Sequence, residues 1–148
     1  MKSPDILKKM WVSIFNRRGG SGTYTINSDE IGGSLKEWLR NRLSLKSSEL
    51  PVIIGFKTPK KWFVLTTERL VWELENKITE LEVSKIKDAT VSLVLENTKG
   101  VTKKNEFSFL KIITFDDEYT LEVESGNPHI GLWNLLKTIA ASNSKLTN

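Results

Sequence analysis

Between Lys60 and Ala89 the chain reads K-K-W-F-V-L-T-T-E-R-L-V-W-E-L-E-N-K-I-T-E-L-E-V-S-K-I-K-D-A, three β-strands in succession joined by tight polar turns. Connections that short turn the chain back on itself, whereas parallel strands need a crossover of a dozen or more residues, so the pairing is expected to be antiparallel. Leu70, Trp72 and Leu74 alternate with Val71, Glu73 and Glu75, and Thr79, Leu81 and Val83 alternate with Glu80, Glu82 and Ser84. That twofold period predicts one buried and one wet face, with Asn76-Lys77 turning the chain between the two strands.

The pattern extends on both sides. Val52 to Phe56 is a short apolar run, and Lys57-Thr58-Pro59-Lys60-Lys61 reads as the turn into the strand Trp62 to Thr66. Val91, Leu93 and Leu95 alternate with Ser92 and Glu96, and Asn97 to Asn105, with Gly100, reads as a polar hairpin tip. Phe107, Phe109, Ile113 and Phe115 share the parity of Lys111, while Leu110 and Ile112 supply apolar surface to the other face. Asp116-Asp117-Glu118 is a turn, and Tyr119, Leu121 and Val123 close a series of about seven strands. A helix is then expected from Pro128 to about Ala141. Asn127 is a good N-cap, Pro128 suits the first helical position, and Leu132, Trp133, Leu136, Ile139 and Ala140 form its apolar stripe.

Two helices are expected before Leu50. Ser3-Pro4-Asp5 combines a capping hydroxyl, a proline whose missing N–H costs nothing at the first position, and an acid facing the positive end of the dipole. Ile6, Leu7, Met10, Trp11, Ile14 and Phe15 then make one helical stripe. The same stripe, flanked by Lys8, Lys9, Arg17 and Arg18, would suit a helix lying in a membrane interface, but Asp5 and the modest basic count favour docking on the rest of the protein. Arg17-Arg18-Gly19-Gly20-Ser21-Gly22 ends the helix and lacks the spacing of a phosphate-cradling loop. A short strand at Thr23 to Ile26 precedes a second amphipathic helix from Ser34 to about Leu45, with Leu35, Trp38, Leu39, Arg42 and Leu43 on one face.

Composition narrows the chemistry. With no cysteine and a single histidine, His129, thiolate metal sites, thiol nucleophiles and zinc sites of the usual ligand classes drop out, and no metal or cofactor is expected. His129 falls in the first turn of the last helix, where a surface position is the ordinary expectation. Adjacent carboxylates at Asp116, Asp117 and Glu118 lack calcium-loop spacing, and the chain reads as non-enzymatic. Four of the five tryptophans, Trp11, Trp38, Trp72 and Trp133, fall on apolar stripes and are expected in the core, which argues against base-stacking platforms and a nucleic-acid partner. Residues 1 to 50 hold nine Lys/Arg and five Asp/Glu, while residues 51 to 148 hold thirteen of each, so the net charge of +4 lies in the first third. No apolar run approaches the roughly 20 residues that span a bilayer, and Met10 to Phe15 lacks the length and cleavage site of a secretory signal. A cytoplasmic protein is expected.

The phrase V-L-T-T-E-R-L-V-W at Val64 to Trp72, followed by I-T-E-L-E-V-S-K-I-K-D at Ile78 to Asp88, resembles bacterial PH-like and GRAM-like domains: a hydrophobic strand, L-T-x-x-R-L, then an apolar residue before K-I. The resemblance covers about Leu50 to Ser142. It implies an α+β fold, a PH-like antiparallel β-barrel of about seven strands capped by a C-terminal helix at 50–148, with residues 1–49 as a helical extension packed on it. It also implies that the Thr and Arg of the phrase belong to the turn between two strands. Such domains serve as binding or scaffolding modules, and a protein partner is the leading expectation, held in a groove beside the C-terminal helix or on the helical extension. An anionic membrane surface or phosphate group is the alternative, bound through the first hairpin by Lys57, Lys60 and Lys61 with Trp62 beside them, although the usual paired Arg after a basic residue is absent there. A small inhibitor of the immunity type is a further possibility, and the fold by itself does not choose among these roles.

Overall fold

The computed structural model describes residues 2–147, with side chains to Lys145. The chain enters as a helix, α1 (Pro4–Arg18), capped by the Ser3 hydroxyl, which accepts from the Ile6 N–H at 3.3 Å. A short strand β1 (Thr25–Asn27) and a helix α2 (Gly33–Arg42) follow. Then come β2 (Pro51–Thr58), β3 (Lys61–Thr66), β4 (Arg69–Leu74), β5 (Lys77–Glu82), β6 (Ile86–Val91), the short helix α3 (Leu93–Thr98), β7 (Phe109–Thr114), β8 (Glu118–Glu122) and the closing helix α4 (Asn127–Thr147). Every pairing is antiparallel, in a five-stranded sheet ordered β1-β2-β3-β4-β5 and a three-stranded sheet ordered β6-β7-β8. The fold is thus α+β with a C-terminal helix. The hydrogen-bonded ladders form two separate sheets, without closure into one ring among the described residues.

Seven strands lie between Pro51 and Glu122, as the twofold period anticipates, but two details differ. The fifth of them is Ile86–Val91, one segment earlier than the alternation at Val91 to Leu95 suggests. Ser92 instead caps α3, its hydroxyl accepting from the Leu95 N–H, and Glu96 turns inward, fully buried, to accept from the N–H groups of Ser108 and Phe109. In β7 the face of Leu110 and Ile112 enters the main core, whereas Phe115 ends up 65% exposed. The turn between β4 and β5 is Glu75-Asn76, both with positive φ (53° and 65°), one residue before the expected position. Two consecutive left-handed residues make the turn whose twist matches a two-residue hairpin.

The core has two parts. Between the two sheets, Leu70, Trp72, Leu81, Leu110, Ile112 and Leu121 meet Leu132, Leu135 and Leu136 of α4 and Trp11 and Phe15 of α1. On the opposite face of the five-stranded sheet, Leu39 of α2 and Leu43 just past its end lie over Ile54, Trp62, Val64 and Val71. That face is not wet: Val71 is buried, and so is Glu73, whose Oε1 accepts from Arg42 at 2.8 Å and from the Trp62 indole N–H at 3.0 Å. A strand covered on both sides loses its polar alternation, which is why Ile53, Ile54, Val64, Leu65, Leu70 and Val71 run on without a break in burial. Of the expected core tryptophans, Trp11 and Trp72 are buried, while Trp38 and Trp133 are half-buried against it.

His129 corrects the expectation of a surface residue. It is 1% exposed beneath Phe107, with Nε2–H donating to the Phe109 carbonyl at 2.9 Å and Nδ1 without a hydrogen-bond partner. The first turn of α4 lies under the chain that links α3 to β7, so a position that is exposed on an isolated helix becomes interior. Burial holds this histidine below its ordinary pKa, against the opposing influence of the Phe109 carbonyl and Glu96.

Candidate interaction groove and lysine hairpin

The L-T-x-x-R-L phrase is an anchoring device. Thr66 Oγ1 accepts from the N–H groups of Glu68 and Arg69 and so closes the turn between β3 and β4. The same hydroxyl donates at 2.5 Å to Glu49, a carboxylate with no side-chain exposure. Arg69 spans Glu49 (Nε to Oε2, 2.7 Å), Glu80 (2.9 Å) and the Ser44 carbonyl (2.8 Å). Burial alone would raise the Glu49 pKa, but the guanidinium, the hydroxyl and the Lys46 N–H outweigh it, and the carboxyl sits below its usual range. The network pins the 44–50 connection to the sheet. Glu49 was not singled out in the sequence, because its partner lies twenty residues on.

The helix α1 docks through Trp11 and Phe15, with Leu7, Val12 and Ile14 partly covered, against α4 and β2. At its C-terminal end the two helices touch backbone to backbone: a Cβ on Gly131 would stand 2.9 Å from the Phe15 carbonyl oxygen. Toward the other end they part. There Met10 and Ile6 remain 39% and 50% exposed, and a groove of about 670 Å³ opens between Leu7, Met10 and Ile14 on one wall and Val83 and Ile139 on the other. Asn143 braces the far wall, its amide donating to the carbonyls of Val83 (2.7 Å) and Ile86 (2.8 Å). Among the described residues, two charged side chains line the groove, Lys2 and Lys145, and both are cationic. The docking of α1 and this groove have the same origin: a six-residue stripe is wider than the surface α4 offers, so part of it is left uncovered.

The hairpin residues Lys57, Lys60, Lys61 and Trp62 do not converge. Lys57 is exposed with its ammonium 5.9 Å from the Tyr24 ring centre, and Lys60 is exposed at the tip, its N–H donating to Thr58 Oγ1. Lys61 Nζ lies 2.8 Å from Glu122 Oε1, an oxygen that Lys99 Nζ also approaches, to 3.1 Å. Burial would raise the Glu122 pKa, and the two ammonium groups more than offset it, leaving the carboxyl lowered. Trp62 points to the other side of the strand, as successive strand residues must. It is buried under α2, edge-on to Trp38 at 5.1 Å between ring centres.

Among the described residues no helix is long and apolar enough to cross a membrane, and no cluster of His, Asp or Glu is placed to hold a metal ion. No family model matches the chain, and no curated protein matches it.

Proposed function

We propose that the chain is a non-enzymatic, PH-like binding module whose α1–α4 groove receives an apolar, acid-flanked segment of a protein partner. Element order supports the PH-like reading, since β2 to β8 give seven antiparallel strands in two sheets and α4 follows the last of them. In this reading the two sheets act as the walls of a partly open barrel that α4 closes. The observation that carries the binding role is the groove itself, which has a largely apolar surface and, among the described residues, only lysines for charge. An amphipathic helix seated in a hydrophobic groove is a recurrent mode of peptide recognition, and Lys2 and Lys145 would select acidic flanks.

The test uses fluorescein-labelled synthetic 14-residue peptides with leucines at i, i+4 and i+7, carrying either glutamate or lysine flanks. The Glu-flanked peptide is expected to bind about tenfold more tightly than the Lys-flanked one, and Met10→Asp is expected to abolish binding while leaving the fold intact. Equal affinity for both peptides, or binding that survives Met10→Asp, overturns the proposal.

A further inference from the structure

The five-stranded sheet ends at β5, and among the described residues no strand pairs with its outer side. The alternation of an antiparallel ladder decides which backbone groups are left there. Just past the last pair of the β4–β5 register, Arg69 with Glu82, the Val83 N–H donates to the Glu68 carbonyl at 2.9 Å. Counting back by twos, Leu81, Thr79 and Lys77 turn their N–H and C=O groups to β4, so those of Ile78, Glu80 and Glu82 point outward. The helix α4 packs along β6 rather than β5, its Trp133 and Lys137 reaching Ala89 and Asp88.

A cleft of about 600 Å³ runs beside this edge, with Phe115, Asp116 and Tyr119 across from β5. Glu80, Leu81 and Glu82 all line it. Consecutive strand residues point to opposite faces, so a cleft that all three share lies along the edge and not on either face. Glu80 is held by Arg69 at 2.9 Å, whereas the exposed Glu82 and Asp116 enter no ion pair among the described residues. Against these three carboxylates Lys85 is the one cation in the lining, and Lys87 stands over the exposed Phe115 ring at 5.7 Å.

We infer that β5 is a docking edge for an extended, lysine- or arginine-bearing segment of a protein partner, which adds to the sheet as a further strand. The outward N–H and C=O groups supply the ladder hydrogen bonds of strand addition. Glu80 and Glu82, two apart, share a face, so cationic side chains at alternate positions of the incoming strand meet them. The apolar residue between those cations turns to the face of Leu81, where Tyr119 packs. A second copy of the chain does not match this edge: β5 paired with itself about Glu80 sets that carboxylate opposite its own copy, and like charges so placed are destabilising. The edge shares no lining residue with the α1–α4 groove and selects the opposite charge.

The probes are the fluorescein-labelled peptide Thr-Lys-Val-Lys-Val-Lys-Thr and its counterpart with glutamate at each lysine position. The lysine peptide is expected to bind about tenfold more tightly than the glutamate one, and Glu82→Gln with Asp116→Asn, at two exposed positions, should weaken it by roughly tenfold. Amide hydrogen exchange followed by NMR reads the strand pairing directly. In the free chain Thr79 and Leu81 should exchange slowly and Ile78, Glu80 and Glu82 fast, and saturating lysine peptide should slow the latter three by about tenfold or more. No binding of the lysine peptide, equal affinity for both peptides, or binding that leaves those three amides fast overturns the inference. So does binding that is lost in Met10→Asp, which would place the peptide in the α1–α4 groove. Slow exchange at the same three amides that grows with protein concentration and needs no peptide would also overturn it, assigning the edge to a second copy.

Discussion

At the scale of single residues the fold depends on a few buried polar groups whose partners lie far away in the chain. Glu49, Glu73, Glu96 and His129 are all interior, and each acid is matched by an arginine, an indole or a pair of backbone N–H groups. His129 differs in keeping one ring nitrogen unpartnered. Its pKa is depressed from 6.5 in the folded state, so the unfolded chain takes up the proton first. The stability it contributes is full above about 6.5 and is lost as pH falls toward the folded value. Glu49 and Glu122 are lowered from 4.5, and Asp88 from 3.8, so their contributions persist above those values and disappear as pH falls through the depressed ones. Urea unfolding is therefore expected to show two stages of acid destabilisation, one beginning near 6.5 and one below about 4.5, with His129→Gln removing the first and sparing the second. None of this was legible in the sequence. A histidine in the first turn of a helix carries no local mark of what covers it, and the carboxylates reach partners as far off in the chain as Lys61 is from Glu122 or Asp88 from Lys137.

At the scale of elements the local signals were strong where chemistry is local. Ser3-Pro4 opens α1 as expected, and the alternation of β4, β5 and β8 places Leu70, Trp72, Leu81 and Leu121 in the core. The reading failed at Val91 to Glu96, where alternating apolar and polar residues fit a strand and a capped helical turn equally well. Here the segment is a capped helical turn, from which Glu96 accepts from the N–H groups of Ser108 and Phe109. The helix α1 presents two classes of apolar residue on one stripe. Trp11→Ala is expected to cost about 3–5 kcal/mol, the range for truncating a buried large aromatic. Ile6→Ser, at an exposed position, should stay within about 0.5 kcal/mol of the parent. Equal melting temperatures for Trp11→Ala and the parent would mean that α1 is not docked in solution.

For the whole molecule, the five-stranded sheet is covered on both faces, by α1, α4 and the second sheet on one side and by α2 on the other. Sequence periodicity describes one strand at a time and does not show that α2, about ten residues upstream of β2, returns over its outer face. The same reasoning explains why the lysine hairpin was visible as a charge cluster while the neutralisation of Lys61 by Glu122 was not, and why the groove was anticipated only as a region beside the C-terminal helix. Its walls come from three segments far apart in the chain, around Met10, Val83 and Ile139, and the helices that carry the first and last of these meet at the Gly131 contact. The central claim is that this groove is where a partner binds. The most direct measurement is a methyl-labelled NMR titration with the Glu-flanked peptide. The account predicts shifts at Leu7, Met10, Val83 and Ile139, with Ile54, Val64 and Val71 under α2 unmoved. Shifts centred under α2 or at the lysine hairpin, or none at saturating peptide, would contradict it.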